Sequence, residues 1–212
     1  MVQKIKRTIM KGFREFIDES IKLGSLTIFD IDDTLFHTTA KVMVMKNGKI
    51  TRKLSNSEYN FYNLKQGESF DYSEFKDSSI FYNESIPIKS MLNKARAIIT
   101  NSSKNPLSKV IAITARSNFD DKNKFLATFR KYGIDIDRFR VERAGNISDI
   151  SSIAIKKAII TRSYLLTGNY STVRLFDDSK ENLREFLHLS SEFPEVKFEA
   201  YFVTPNGTVK KI

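Results

Sequence analysis

Hydrophobic positions along the chain follow two rhythms. Short unbroken apolar runs predict strands buried on both faces, and apolar residues returning every three or four positions predict helices packed on them. The strands predicted this way are Leu26–Phe29, Lys109–Thr114, Phe139–Glu142, Val173–Phe176 and Val196–Val203. Residues 1–23 carry Ile5, Ile9, Phe13, Phe16, Ile17 and Ile21 at helical spacing, closed by Gly24. Pro87 opens a second helix with Ile88, Met91, Leu92, Ala95, Ile98 and Ile99 as its buried stripe. Lys122–Tyr132 is a third, ended by Gly133. Ser151 or Ser152 caps a fourth, in which Ile155, Ile159, Arg162 and Leu166 share one side. Glu181–Leu189 is a fifth, with Leu183, Phe186 and Leu187 inward.

One segment departs from both rhythms. From Lys41 the chain reads K-V-M-V-M-K-N-G-K-I-T-R-K-L, and Asn47-Gly48 is the strongest short signal for a hairpin, because both turn positions need positive φ. Its strands are predicted at Val42–Met45 and Ile50–Leu54. Residues 55–86 follow as a polar, aromatic stretch with no clean helical period, read as a small loop-rich insert. Its rings, among them Tyr59, Tyr62, Phe70, Phe75 and Phe81, are expected to anchor it to the core; stacking on nucleic-acid bases is the alternative.

Composition narrows the chemistry. The 212-residue chain has no cysteine, so any metal would be held by oxygen ligands. No apolar run approaches the roughly 20 residues of a membrane span. The N-terminal stretch has lysines without an apolar signal core, so a cytoplasmic protein is expected. The net charge of +10 is compatible with a polyanionic partner and equally with simple solubility. His37 and His188 are too scattered to suggest a metal site.

The candidate chemistry lies where apolar strands end. Leu26–Phe29 runs into Asp30, Asp32 and Asp33, and the first two fall on one side of an extended chain. Thr114, Ala115 and Arg116 end the second strand. Lys156 and Lys157 fall in the first turns of the fourth helix, where a cation is electrostatically unfavourable. Val173–Phe176 delivers Asp177 and Asp178.

In this order, Asp30-x-Asp32-x-Thr34, Thr114, a lysine and Asp177-Asp178 resemble the four motifs of the haloacid dehalogenase (HAD) superfamily. The resemblance implies an α/β fold: a doubly wound, mainly parallel sheet formed by residues 1–36 and 88–212. Residues 37–87 would supply a β-hairpin flap and a small cap-like insert. It also implies a Mg²⁺-dependent phosphatase acting through an aspartyl-phosphate. Asp30 would be the nucleophile and Asp32 the general acid and base. Thr114 and Lys156 would hold phosphoryl oxygens, with Lys157 as the rival for the lysine. Asp30, Asp32 (through its carbonyl), Asp177 and Asp178 would face the metal, and Thr34, Ala115 and Arg116 the substrate.

The Thr-Ala-Arg turn and the Asp-Asp pair further resemble the phosphatase half of phage polynucleotide kinase-phosphatases. With the basic flap, this points to DNA or RNA ends or nucleotides as substrates. A small-metabolite phosphatase and a catalytically silent nucleic-acid-binding module are the alternatives.

Overall fold

In the computed structural model, which describes residues 23–59, 61–148 and 151–212, the apolar run Leu26–Phe29 lies within a strand, β1 (Gly24–Phe29). The helix expected over residues 1–23 lies outside the described residues, save Leu23. Three strands pair around β1 and on its flank: β7 (Lys109–Thr114), β8 (Phe139–Arg143) and β9 (Tyr170–Asp177). With β10 (Lys197–Val203) and β11 (Val209–Lys211) they form a sheet of order β11-β10-β9-β1-β7-β8. Every pairing is parallel except β10 with β11.

Period-two alternation on β1 sorts the core into two layers. Phe29 joins Val110, Ala112, Phe176 and the residues of α4 (Lys89–Ser102) and α5 (Lys122–Lys131) on one face. Leu26 and Ile28 join Ile111, Ile113, Val173 and Leu175 on the other, under α6 (Ile153–Leu165) and α7 (Lys180–His188). Both faces are covered, which is why the parallel strands read as unbroken apolar runs.

From β1 the chain moves outward through β7 to β8, then returns to β9 on β1's other side. The reversal between β1 and β9 is a topological switch point. Open α/β sheets bind ligands beyond the strand ends there.

The insert departs from the expected loop. β3 (Val42–Lys46) and β4 (Lys49–Leu54) form the hairpin, with Asn47 and Gly48 at φ of 50° and 73°. A third strand, β5 (Glu68–Asp71), pairs with β3. Three short helices complete it: α1 (Asn56–Tyr59), α2 (Ser73–Lys76) and α3 (Ser78–Glu84). The sequence hid β5 because E-S-F-D offers one apolar residue. Tyr59, Tyr62, Phe70 and Phe75 pack on Val42, Val44 and Leu54 as a small core. Phe81 reaches the main core against Phe36, Phe125 and Phe129. Anchoring is therefore the arrangement of most rings, while Phe61 stands 87% exposed. Pro87 does not open α4. It lies in β6 (Ile86–Pro87), which pairs with β2 (Phe36–His37) where the chain leaves and rejoins the core.

Candidate active site

Register brings the first and fourth motifs level. Phe29 pairs with Phe176, so the next residues, Asp30 and Asp177, leave the two switch-point strands side by side; the Asp30 amide donates to the Phe176 carbonyl at 2.9 Å. Oxygens of Asp30, Asp177 and Asp178 come within 4.8 Å of one another. Asp30 and Asp177 are buried and Asp178 is half-buried.

The cation among them is Lys157. Its Nζ donates to Asp30 Oδ1 at 2.6 Å and to Asp177 Oδ2 at 2.9 Å. This corrects the expectation for Lys156, which is half-buried on another side of α6. The stripe α6 buries is Ala154, Lys157, Thr161 and Leu165. The apolar stripe the sequence suggested faces outward, with Ile155, Ile159 and Leu166 all more than a third exposed.

Burial dominates the electrostatics. It pushes the Asp30 carboxyl well above the ordinary aspartate range; Lys157 opposes this, while Asp177, Asp178 and Asp32 add to it. Burial, then the charge of Asp177, pushes Asp178 up to about 7. Burial alone would loosen the Lys157 proton, but Asp177 and Asp30 outweigh it and hold the ammonium's proton more tightly than in water. One ammonium among three clustered carboxylates leaves negative charge uncompensated. A hard divalent cation such as Mg²⁺ fits this donor set, with Asp30, Asp177 and Asp178 as its carboxylate ligands.

Neighbouring groups fix the acids. Asn182 Nδ2 donates to both Asp177 oxygens, at 2.9 and 3.0 Å, and the Ser179 amide donates to Oδ1 at 2.9 Å. Ser179 also caps α7. Asn182 is a site residue that sequence reasoning missed; its only signal was one helical turn's distance from the cap. Thr34, expected on the substrate side, is fully buried and donates to Asp178 Oδ1 at 3.4 Å, a long bond. Thr114 is buried at the end of β7, and its Oγ1 accepts the Arg116 amide at 3.1 Å. Ala115 is exposed at the tip of that loop.

Asp32 stands apart from the carboxylate cluster. Arg116 Nε and Nη2 donate to its two oxygens at 2.9 and 2.7 Å. Arg116 is 3% exposed. Expected to face the substrate, Arg116 turns its guanidinium to groups inside the protein: Asp32, the Phe75 carbonyl and Thr38 Oγ1. Asp33 takes φ of 60°, accepts from Asn56 of α1 at 2.9 Å, and lies 3.1 Å from His37 Nδ1. The loop that follows β1 is thus tied to the insert.

Fold and site together define an α/β protein of HAD-like fold, with an acid cluster at its switch point. No protein-family profile and no curated protein sequence matches the chain. Among solved structures it is similar to the HAD domain of effector protein Lem4 from Legionella pneumophila. That match has a TM-score of 0.51 and 12% identity, covering 86% of this chain and 87% of that one. At such identity the likeness speaks for the fold alone. No helix among the described residues is long and apolar enough to cross a membrane.

Proposed function

We propose that this protein is a Mg²⁺-dependent phosphatase that hydrolyses phosphate monoesters through an aspartyl-phosphate on Asp30. One observation carries the reading: Asp30, Asp177 and Asp178 cluster at the switch point of a HAD-like sheet, with Lys157 bonded to the first two.

Lys157 holds Asp30 Oδ1, so the other carboxylate oxygen is the one left to attack phosphorus. The phosphorus–oxygen bond to the leaving group breaks as the new bond to Asp30 forms. Asp32 gives the departing oxygen a proton, then takes one from the water that attacks the aspartyl-phosphate and releases inorganic phosphate. Lys157 has three N–H donors; two serve the acids, and the third serves a phosphoryl oxygen together with the Thr114 hydroxyl. Mg²⁺ held by Asp30, Asp177 and Asp178, with the Asp32 carbonyl, would neutralise the phosphate and remove its repulsion by the nucleophile.

Nucleic-acid ends, 3′-phosphates above all, or nucleotides are the substrate class we favour. Lys46, Lys49 and Arg52 are exposed on the flap, Arg52 lies 5.5 Å from the Tyr62 ring, and Phe61 beside it is bare. These groups suit a phosphodiester backbone and a stacked base. Lys53 contributes less, being paired with Glu74.

The test is phosphate release with Mg²⁺ from 3′-phosphorylated oligonucleotides, nucleotides and sugar phosphates, with Asp30→Asn as the control. Turnover of the first two by wild type alone supports the reading. Turnover of sugar phosphates only would replace it with a small-metabolite phosphatase. Oligonucleotide binding with no turnover of any ester would make the chain a silent binding module.

A further inference from the structure

We infer that Arg116 is a positioning residue that transmits the packing of the insert to Asp32. This rests on the phosphatase reading above, in which Asp32 handles the proton.

Arg116 touches Asp32 through a two-pronged fork, which fixes the carboxylate's plane as well as its distance. The other end of the guanidinium belongs to the insert. Nη1 donates to the carbonyl of Phe75 in α2 at 2.9 Å. The guanidinium carbon lies 5.1 Å from the Phe75 ring centre and 4.6 Å from that of Phe81 in α3. Nη2 also reaches Thr38 Oγ1, at 3.0 Å, where the chain departs for the flap. Asp32 is therefore oriented by a group whose seat is built by residues far along the chain.

Stability does not explain this arrangement. A buried ion pair loses in desolvation much of what it gains in attraction, so apolar residues of similar volume serve a core as well. An aligned proton donor, by contrast, needs its carboxyl plane fixed, and the Arg116 fork supplies the fixing. The insert's own attachment is independent of the acid. The Ser78 amide donates to Asp120 at 2.8 Å, the Asp120 amide donates to the Lys76 carbonyl at 3.1 Å, and Phe81 is rooted among core rings. Displacing α2 would turn Asp32 without touching Asp30, Asp177 or Asp178.

The experiment exploits leaving-group chemistry. An aryl phosphate with a good leaving group needs little protonation as it departs; an alkyl phosphate needs it fully. The measured quantity is kcat/KM with Mg²⁺ for both esters in wild type, Arg116→Lys, Phe75→Ala and Phe75→Leu. We expect Arg116→Lys and Phe75→Ala to lose about 10²-fold on the alkyl ester, within the usual worth of general acid catalysis, and much less on the aryl ester. Phe75→Leu keeps the bulk without the ring and is expected between wild type and Phe75→Ala. It also guards against a fold defect in the alanine variant. Equal losses on the two esters, or no loss, would overturn the inference while leaving the phosphatase reading intact. A wild type that hydrolyses neither ester would overturn both.

Discussion

A buried ammonium held by two carboxylates balances charge and also occupies one oxygen of each. Lys157 has both tasks, because it bonds one oxygen of Asp30 and one of Asp177. Replacing it with Gln keeps an N–H donor, one bond shorter, and removes the charge. The expected result is a fall in kcat of about 10²–10³-fold, as for loss of one preorganised stabilising group. Metal-free stability should also drop, by about 3 kcal/mol, as when one partner of a buried pair is removed. Lys156→Gln, one residue away on another side of α6, is expected to change neither; steady-state rates and thermal unfolding of the two variants check this. The sequence supported either lysine because both lie in the first turns of α6. What misled was the helix's apolar side: Ile155, Ile159 and Leu166 look like a buried stripe and face outward, while a stripe containing a lysine and a threonine is buried. Only the carboxylates brought by other strands make that lysine an inward residue, and no local pattern contains them.

At the scale of elements, the strand ends were legible and their cross-connections were not. Asp30, Thr114 and Asp177 each close an apolar run, so their shared place in the sheet follows from topology alone. The fates of Arg116 and β5 depend on pairings across the chain: Arg116 with Phe75, 41 positions away, and β5 with β3. A tight approach supports the Thr114–Arg116 loop. A Cβ on Gly145 would sit 2.4 Å from the Ala115 carbonyl oxygen and 2.8 Å from the Arg116 carbonyl carbon. Gly145→Ala must therefore push that loop. Its core packing is elsewhere, so melting should change modestly while kcat/KM falls by about 10²-fold, the usual cost of a displacement near 1 Å. Circular dichroism melts beside kinetics would separate the two effects.

At the scale of the whole molecule, two ionic features give separable readouts. The acid cluster should make thermal stability depend on Mg²⁺. An excess of about a hundred times the dissociation constant adds about 2.7 kcal/mol, and Asp177→Asn should abolish the upward shift in melting temperature. The far edge of the sheet carries a second network that needs no metal. Glu199 of β10 meets Lys197 at 2.9 Å, Arg174 of β9 at 2.7 Å and Lys211 of β11 at 3.4 Å. The hydrogen bond from Lys197, aided by Arg174 and Lys211 against the opposing effect of burial, lowers its carboxyl from 4.5 to about 2. A depressed acid stabilises the fold above its unfolded value and loses that contribution as pH falls through the folded value. Wild type should therefore lose about 1 kcal/mol more than Glu199→Gln between pH 5 and pH 2, a modest figure for charges that solvent reaches. Denaturant midpoints at several acidic pH values measure it.

The clasp of β2 against β6 sets the chain's departure for the insert beside its return. Loop-closure cost rises slowly with length, so segments of very different size can be grafted between these two points while the order of the large sheet is kept. Any such graft has one inherited obligation, to present an aromatic ring and a carbonyl where Arg116 meets Phe75.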